Sequence, residues 1–554
     1  MSFTRERWGT VPTWRDHLLG FGLCVLYVAL LLGTADSIGL GRDEGIYVDA
    51  AQRYAGWLEL LVKAPGQALE RAAIDGAFTA NHEHPPLMKL LFGVGHLVQR
   101  ELHIFGTDSQ SFRFAGMLSA GGLLWIIYLF GTRLYGRSAG IFAALSFALL
   151  PRPFYHAHLN AFDMPITCAS TLVLYNYYVS LERPRRALLV GLTFGLALLT
   201  KHNSWFLPIM MSAHFGLCAV VEQRARKLRQ PRRMSLVPWG LLAALCIGPC
   251  LFYGGWPWLW HGSLPRLRDY VGFHLHHEYY NMEYFAVNYF WPPFPISFPW
   301  LMTLFTVPLT SLLLGIAGAG RAVTCAVRDL RALLLQRTAA NCDPTQPTAL
   351  LLGALLTPLI VISLPSTPIF GGTKHWFTAY PLLALFAGRT FVEAVALLPR
   401  SSALWTKTGL ASLLLLPAAA ETAHSHPFAL SHYTAAAGGV PGAAAMGLNR
   451  QFWGFTTRSL VPYLLEVMPN GGTLYICDTL YTSFQMLIRD GHLPATFRPT
   501  PDIARADYAL VHHEKHFAEV DHQIWTTYRS AQPAHVLLYD GVPIISVYKN
   551  PNKR

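Results

Sequence analysis

Residues 18–45 read LLGFGLCVLYVALLLGTADSIGLGRDEG. The first part, Leu18–Ile38, is an apolar run long enough to cross the roughly 30 Å hydrocarbon core of a bilayer as one helix. It exceeds the about 7–15 apolar residues of a typical secretory signal peptide, which favours a retained anchor. The charged group Arg42-Asp43-Glu44 follows closely. The stretch therefore predicts a membrane-spanning helix with two carboxylates at its far end.

The rest of the chain has the composition of a membrane protein. Of its 554 residues, 52% are hydrophobic and only 13% are charged, which is about half the charged fraction of an ordinary soluble protein. The net charge of +12 could suggest nucleic acid as a partner, but the basic residues lie in short loops between apolar runs. That placement is typical of loops on the cytoplasmic side of a membrane. No nucleic-acid partner is therefore expected.

Ten further apolar runs follow the first, so that about eleven transmembrane helices are predicted. The runs are Phe112–Leu134, Ala139–Tyr155, Met164–Leu181, Ala187–Thr200, Trp205–Val221, Leu236–Leu259, Ile296–Ala319, Ala349–Leu364, Phe377–Leu398 and Ala403–Ala420. If the N-terminus with Arg5 and Arg7 is cytoplasmic, the basic loops Arg183–Arg186, Arg224–Arg233 and Arg321–Arg337 share that side. Residues 1–420 are thus predicted to form a polytopic α-helical membrane domain, with its first extracytoplasmic loop at 39–110.

The sequence pattern changes near Glu421. Short strand-like runs such as Thr473–Cys477 and Tyr508–Val511 now alternate with turn signals. Asp540-Gly541 lies between two further strand-like runs, which strongly indicates a two-residue β-hairpin. Residues 421–554 are therefore predicted to form a small α/β domain, and the odd number of spans places it outside the cytoplasm. The chain has no Walker loop or Rossmann glycine motif, so no nucleotide cofactor is expected.

The first loop, 39–110, carries two unusual groups of ionisable residues. It begins with Asp43 and Glu44, adjacent carboxylates that repel each other unless a cation, a metal or a proton compensates one of them. A solvated helix N-terminus is the plainer interpretation, since acidic residues are favourable there. Further along, the segment NHEHPPLMK at 81–89 places Lys89 in the first turns of a helix. A cation is unfavourable there unless it faces an anion such as a phosphate.

Together, the two groups resemble the GT-C superfamily of membrane glycosyltransferases. The resemblance is strongest to bacterial relatives of the dolichyl-phosphate-mannose protein mannosyltransferases and to the aminoarabinose transferases. It is carried by Asp-Glu after the first span and by His-Pro-Pro-Leu-x-Lys some forty residues later. Further segments that match the pattern are Ser111-Phe112-Arg113, Leu159–Pro165, Leu198–Lys201 and Gly371–Trp376. The resemblance thus covers most of Arg42–Gly388.

The resemblance implies an enzyme that moves a sugar from a polyprenyl-phosphate donor to an acceptor hydroxyl at the extracytoplasmic face. Such a transfer needs a carboxylate to take the acceptor proton and cations to stabilise the departing phosphate. By resemblance, Asp43 is the general base, Glu44 supports it or shapes the acceptor site, and Asp163 is a second acidic residue. Asp43 and Asp163 could together hold a divalent metal. The implied substrate-binding residues are His84, Lys89, Arg113, Lys201, Lys374 and His375, with Arg113 bracing the carboxylates.

Each of these residues also has a plainer interpretation. Lys201 and Arg113 could extend from span ends to lipid headgroups. Asp163 could cap its helix, and Lys374-His375 could anchor the chain beside the interfacial Trp376. Independent caps and anchors need not match one family's pattern in five places, which favours the catalytic interpretation.

The acceptor stays open between a lipid, a glycan and a protein. The tail lacks the cysteine-rich or β-trefoil character of the luminal domain in eukaryotic mannosyltransferases, which argues against a protein acceptor. The donor sugar, a hexose or a pentose, is open too. Two other function classes compete: a transporter or flippase of lipid-linked sugars, and a noncatalytic assembly factor of the cell envelope. Transporters place ionisable groups near the bilayer midplane, whereas here they gather at outer helix ends. The composition suggests a bacterial inner membrane.

Overall fold

The computed structural model describes residues 9–227, 234–335, 345–399 and 403–553. The helices are α1 (Trp14–Thr34), α2 (Arg42–Lys63), α3 (Pro65–Ala68), α4 (Arg71–Phe78), α5 (Leu87–Leu102), α6 (Asp108–Tyr135), α7 (Arg137–Ala148), α8 (Pro151–Ala157), α9 (Asp163–Glu182), α10 (Ala187–Thr200), α11 (Phe206–Lys227), α12 (Trp239–Gly254), α13 (Ser263–Leu275), α14 (Phe298–Thr306), α15 (Leu309–Leu334), α16 (Thr345–Ser363), α17 (Tyr380–Ala396), α18 (Leu404–Ser425), α19 (Gly439–Ala445), α20 (Val461–Val467), α21 (Tyr481–Arg489) and α22 (Ala518–Tyr528). The strands are β1 (Met282–Tyr284), β2 (Val287–Tyr289), β3 (Gly472–Ile476), β4 (Phe497–Thr500), β5 (Tyr508–His512), β6 (His535–Tyr539) and β7 (Val542–Lys549). The basic residues Arg5, Arg7 and Arg337 and the end of Arg224–Arg233 lie outside the described ranges.

The predicted apolar runs coincide with helices or with consecutive helices. Five segments of the described chain are long and apolar enough to cross a membrane, namely Trp14–Ser37, Asp108–Tyr135, His202–Arg224, Leu309–Ala332 and Gly372–Ala396. Shorter apolar helices accompany them at Arg137–Ala148, Trp239–Gly254 and Pro347–Ser363. The chain is therefore an integral membrane protein, and the full count of about eleven spans stays a prediction.

Two predicted runs are divided in the structure. The run Ala139–Tyr155 breaks after α7, and Pro151 begins α8, because proline is well suited to the first turn of a helix. The run Ile296–Ala319 breaks at Val307, which is extended and precedes a proline. The spanning stretch in this region is Leu309–Ala332, so the predicted boundaries were too early in the chain.

Small residues allow the membrane helices to approach one another closely. Gly131 of α6 faces Gly140 of α7, and a Cβ atom at Gly140 would lie only 2.4 Å from the carbonyl oxygen of Tyr128. Gly388 of α17 meets the backbone of Ala139 in the same way. Helices in lipid have no hydrophobic driving force for association. Close packing at small residues stabilises their contacts instead. The three helices α6, α7 and α17 are therefore tightly packed against one another.

The first loop folds into a helical layer. Helix α2 packs against α5, where a Cβ atom at Gly93 would come within 2.8 Å of the Ala51 carbonyl oxygen. An aromatic cluster of Tyr54, Trp57 and Phe78 fills the space between α2 and α4, and it joins Trp256 and Trp258 beyond α12 in one buried core. This layer fixes the N-terminal end of α2, which carries Asp43.

The tail contains a five-stranded mixed sheet in the order β4-β3-β5-β7-β6. Strand β3 is parallel to β4 and β5, whereas β7 is antiparallel to β5 and β6. Strands β3, β5 and the β6-β7 hairpin coincide with the predicted segments, and β4 and the β1-β2 hairpin had no sequence prediction. Helix α18 continues through Ser425, past the predicted boundary at 420/421. Helix α21 of the tail packs against α2, which brings the tail to the first loop.

Candidate active site

Asp43 lies in the first turn of α2, just beyond the first span. Lys374 donates from Nζ to Asp43 Oδ2 at 3.3 Å, and Arg42 Nε lies 3.7 Å from Oδ1. The Arg42 amide donates to the carbonyl oxygen of Trp453 at 2.8 Å. The Asp43 side chain keeps 25% of its surface exposed. Asp43 thus contacts two cations and remains accessible to an incoming molecule.

Glu44 is buried, unlike its neighbour Asp43, and its oxygens have several partners. Arg113, also buried, donates from Nε to Oε1 at 2.9 Å and from Nη2 to Oε2 at 2.8 Å. Oε2 accepts the Gly41 amide at 2.9 Å, and Oε1 accepts the Asn160 amide at 3.2 Å. Arg113 therefore braces Glu44. The pair fastens the start of α2 to α6 and to the segment before α9, which fixes the position of Asp43.

Asp163, the first residue of α9, forms an ion pair with a different lysine. Lys201 donates from Nζ to Asp163 Oδ1 at 2.7 Å. His156 Nδ1 lies 3.7 Å from Oδ2. Lys201 follows α10 in an extended conformation, so its side chain can cross to α9. The carboxylate of Asp163 thus contacts Lys201, which follows α10, and lies near His156 of α8.

Two consecutive glycines set the position of Lys374. Gly371 and Gly372 have φ of +69° and +63°, a conformation that glycine adopts without steric cost. A Cβ atom at Gly371 would lie 2.4 Å from Lys374 Cε. The Lys374 ammonium lies 3.8 Å from the centre of the Trp453 ring, a favourable cation–π arrangement. The next residue, His375, contacts the Phe370 carbonyl oxygen of its own segment.

The two ion pairs are neighbours. Trp453 contacts Lys374 on one side, and its ring centre lies 5.5 Å from that of His156, the partner of Asp163. Asp43, Asp163 and Lys201 all lie within electrostatic range of Lys374. We refer to Asp43, Asp163, Lys201 and Lys374 as the charged cluster. Four segments that are distant in sequence supply its two carboxylates and two ammonium groups.

Lys89 and His84 form a separate layer beside the charged cluster. Lys89 is buried and donates from Nζ to the carbonyl oxygens of Asn81 and His84, and its ammonium lies 5.2 Å from the centre of the Tyr54 ring. The His84 ring packs on Phe162 with centres 4.8 Å apart. The structure therefore gives Lys89 carbonyl partners where the sequence suggested an anion. The loop before α5 folds back over the helix N-terminus and supplies the negative ends of its peptide dipoles.

Burial gives Lys89 a measurable effect on stability. Burial of the ammonium group lowers the Lys89 pKa from 10.5 to about 7. Between these values the unfolded chain binds the proton and the folded chain does not, so the contribution of Lys89 to stability rises with pH by up to about 1.4 kcal/mol per unit. We expect the Tm of the wild type, relative to Lys89→Met, to rise from pH 7 to pH 10 in detergent and to be constant below pH 7.

The matched control is Lys63→Met at the end of α2, because Lys63 is exposed. Thermal unfolding followed by tryptophan fluorescence gives the difference in Tm between the wild type and each of the two variants. A Tm difference between wild type and Lys89→Met that does not change with pH would rule out the lowered pKa.

The tail contributes residues that the sequence did not single out. Asp478, directly after β3, accepts a hydrogen bond from Arg42 Nη1 at 2.8 Å, and burial raises the Asp478 pKa to about 6. Trp453 covers Lys374, as described above. Asp478 had a usable signal, since polar residues at the carboxyl end of parallel strands often face a ligand cleft. His156 had one too, as an ionisable residue beside an apolar run. Trp453 had none.

The metal site predicted at Asp43 and Asp163 would have these two carboxylates as its ligands. Each carboxylate already has a lysine partner, at 3.3 and 2.7 Å. Within the described ranges, no group of three or more His, Cys, Asp or Glu side chains is arranged to hold a metal ion. This donor set does not fit a divalent cation, and the chemistry proposed below uses the lysines alone.

Two cavities flank the segment 370–378. An apolar cavity lies between α9, α11 and α16, with His375 and Thr378 at one edge; its other lining residues include Leu174, Phe206, Met210, Ala354, Pro358 and Ile362. A larger, more polar pocket of about 210 Å³ lies toward the tail, with Arg42, Gly371, Gly372 and Trp453 in its wall. Residues next to Lys374 in the chain therefore line both an apolar and a polar space.

Comparison with known proteins gives a family match for one part of the chain. Residues 83–253 match the model of the family described as dolichyl-phosphate-mannose-protein mannosyltransferase. The match includes His84, Lys89, Arg113, Asp163 and Lys201, and it ends before Lys374. No curated protein matches the sequence significantly.

Solved structures show distant likeness over most of the chain. ArnT from Cupriavidus metallidurans in the apo state is 15% identical, with 96% of this chain and 98% of that chain covered and a TM-score of 0.46. The same protein bound to undecaprenyl phosphate gives 16% identity, the same coverage and a TM-score of 0.45. The archaeal oligosaccharyltransferase AglB from Archaeoglobus fulgidus, in complex with an inhibitory peptide and a dolichol-phosphate, is 12% identical. It is covered over 69% of its length by 90% of this chain, with a TM-score of 0.47.

Because the sequence identities and TM-scores are this low, the solved structures do not support a functional interpretation, which depends on the residues of this chain. The family match is of another kind, since it falls on the segment that carries the proline-rich motif and the second acidic residue. It confirms, over residues 83–253, the predicted resemblance of this membrane protein to the dolichyl-phosphate-mannose-protein mannosyltransferases of the GT-C superfamily.

Proposed function

We propose that this protein is a membrane glycosyltransferase that moves a sugar from a polyprenyl-phosphate donor to an acceptor hydroxyl at the extracytoplasmic face. The observation that carries the proposal is the charged cluster. Asp43, Asp163, Lys201 and Lys374 come from four distant segments and meet as two neighbouring ion pairs. Caps and headgroup anchors do not require such convergence. Glycosyl transfer from a lipid phosphate requires both kinds of charge in one place.

In this mechanism Asp43 takes the proton of the acceptor hydroxyl. The acceptor oxygen then forms a bond to the anomeric carbon as the bond from that carbon to the donor phosphate oxygen breaks. The departing phosphate gains negative charge, which Lys374 and Lys201 stabilise. The exposed part of Asp43 suits this role, because a general base must reach the acceptor within hydrogen-bond distance.

The lysines have a second task before the donor binds. Lys374 donates to Asp43 and Lys201 donates to Asp163, so each carboxylate is engaged by an ammonium group. A donor phosphate would compete for the ammonium groups and free Asp43 to accept a proton. Binding of the donor would thus activate the base.

The apolar cavity suits the lipid part of the donor. Its walls come from α9, α11 and α16, and it reaches His375 next to Lys374. A polyprenyl chain in this cavity would place its phosphate near the ammonium groups, since the cavity and the cluster share the segment 370–378. The orientation with the N-terminus in the cytoplasm and the location in a bacterial inner membrane belong to this proposal.

Lys374→Met tests the role of the lysines. We expect it to lower kcat for transfer from a polyprenyl-phosphate sugar by about 10²–10³-fold, because one preorganised donor to the developing charge is lost. Initial rates of radiolabelled sugar transfer by the purified protein in detergent give the effect. Lys407→Met in α18 is the matched control, since Lys407 lies outside the charged cluster.

The result also separates the competing function classes. A transfer rate that is unchanged in a folded Lys374→Met variant would contradict the role of Lys374 in stabilising the departing phosphate. A protein that transfers no sugar from any polyprenyl phosphate, although folded, would favour the transporter or the assembly factor.

A further inference from the structure

The polar pocket is formed where the membrane helices meet the tail. Its wall includes Arg42 and Arg152 from the membrane part, Asn281 and Glu283 from the loop before α14, and Asn449 and Glu514 from the tail. The aromatic side chains of Tyr280, Phe452 and Trp453 complete it. A pocket with several polar groups and aromatic walls is typical of a site for a polar ligand.

Arg152 is the unusual member of this pocket. Its side chain is 1% exposed, and its Nε and Nη1 atoms have no hydrogen-bond partner among the described residues. Nη2 makes one long hydrogen bond, at 3.4 Å, to the His432 carbonyl oxygen. The guanidinium also lies 5.2 Å from the centre of the Tyr433 ring. A buried arginine with unused donors is costly to keep, because such groups are otherwise paired.

The acidic residues of the pocket have other partners. Gln451 donates to Glu514 Oε1 at 2.8 Å. Burial, with the nearby Asp478, raises the Glu514 pKa well above its usual range, which favours its neutral form. Glu283 accepts the Lys515 amide at 3.1 Å. In the described part of the chain, neither carboxyl group forms an ion pair with Arg152. The positive charge of Arg152 is thus available to a ligand.

Arg152 is close to the charged cluster without being part of it. A Cβ atom at Gly372 would lie 3.7 Å from Arg152 Nη1, and one at the adjacent Gly371 would lie 2.7 Å from Lys374 Nζ. Arg152 and His156 are four residues apart on α8, and His156 approaches Asp163. The pocket, which also has Arg42 in its wall, therefore lies beside the proposed base Asp43.

We propose that this pocket binds the acceptor and that Arg152 recognises an anionic group on it, a phosphate or a carboxylate distinct from the hydroxyl that reacts. In arginine, Nε and Nη2 form the fork that pairs with two oxygens of such a group. In Arg152, Nε is free and Nη2 is held only by the long hydrogen bond to His432, and the free Nη1 offers a further donor. The aromatic walls would hold the rest of a glycan-like or lipid headgroup acceptor. The assignment of the ligand as the sugar acceptor rests on the proposed function, whereas anion binding by Arg152 is independent of it.

Equilibrium binding of radiolabelled inorganic phosphate to the purified full-length protein in detergent tests the inference. Undecaprenyl phosphate is added at saturation, so that it occupies the cations of the proposed donor site. We expect phosphate binding to persist under this condition and to weaken by about tenfold or more in Arg152→Gln, since charge-assisted hydrogen bonds are lost. Arg458→Gln, whose guanidinium pairs with Asp36 at 3.6 Å, is the matched control and should bind as the wild type does.

A second variant guards against misfolding of Arg152→Gln. Asn449→Trp fills the pocket and leaves Arg152 in place, and it should weaken phosphate binding to a similar extent. Equal phosphate binding in the wild type and in either folded variant would overturn the inference. Displacement of the phosphate by undecaprenyl phosphate would assign Arg152 to the donor and overturn the acceptor assignment. Sugar transfer, measured separately, reports on the proposed function and is independent of these outcomes.

Discussion

Asp43→Asn should lower the rate of sugar transfer by about 10²–10⁴-fold, the range in which a positioned general base contributes. Asparagine keeps the size of the side chain but cannot take the acceptor proton. The helix start should survive the change, because the buried Glu44 and Arg113 hold it. Initial rates at saturating donor, measured on purified protein, give the loss in kcat, and Tm gives the folded state.

The matched control for this prediction is Asp49→Asn. Asp49 lies on the same helix, is half exposed and pairs with Arg53 at 3.1 Å, so its loss should leave transfer unchanged. An Asp43→Asn protein that is folded and transfers sugar at the wild-type rate would remove Asp43 from the mechanism. Equal losses in both variants would indicate a general effect on α2.

Arg113→Ala should lower the free energy of unfolding by about 3–5 kcal/mol. The substitution leaves the buried carboxylate of Glu44 without its partner, and an uncompensated buried charge is strongly destabilising. It also frees the start of α2, so transfer should fall together with stability. Thermal unfolding of the purified protein, followed by tryptophan fluorescence, would show a markedly lower Tm.

Arg133→Ala provides the comparison, because Arg133 lies near the other end of the same helix. It pairs with Glu182 at 2.6 Å, but Glu182 is half exposed, so water can solvate the carboxylate that Arg133→Ala leaves behind and the loss of stability should be smaller. Arg113→Ala with a Tm equal to that of Arg133→Ala would contradict the structural role of the buried pair. The double variant Arg113→Met/Glu44→Gln should recover part of the loss, since it removes both charges.

Much of the helical framework could be predicted because a bilayer imposes a strong constraint. Apolar runs such as Leu18–Ile38 must satisfy their backbone groups internally, so they form helices wherever they occur. Asp43, Asp163, Lys201 and Lys374 could be singled out because they lie near the ends of predicted spans and match the pattern of one family. The helix breaks before Pro151 and Pro308 were missed, as an apolar run alone does not show where proline ends a helix.

The site beyond the charged cluster could not be predicted from local sequence. Arg152 enters the polar pocket only because the tail folds against the membrane helices, a contact between positions far apart in the chain. The partners of Lys89 depend on how the loop before α5 turns back, which no periodicity encodes. Trp453 covers Lys374 from a segment that contains neither a strand nor a long helix. These contacts are set by tertiary packing.

Simultaneous detection of the two products in proteoliposomes would test the proposed reaction most directly. The wild-type protein is supplied with a polyprenyl phosphate carrying a radiolabelled sugar, together with cell-envelope extract as acceptor. We predict that free polyprenyl phosphate appears in equal amount to the label attached to acceptor, because one glycosidic bond forms for each bond to phosphate that breaks. Movement of the intact, still labelled lipid across the bilayer without release of polyprenyl phosphate would contradict a transferase and indicate a flippase.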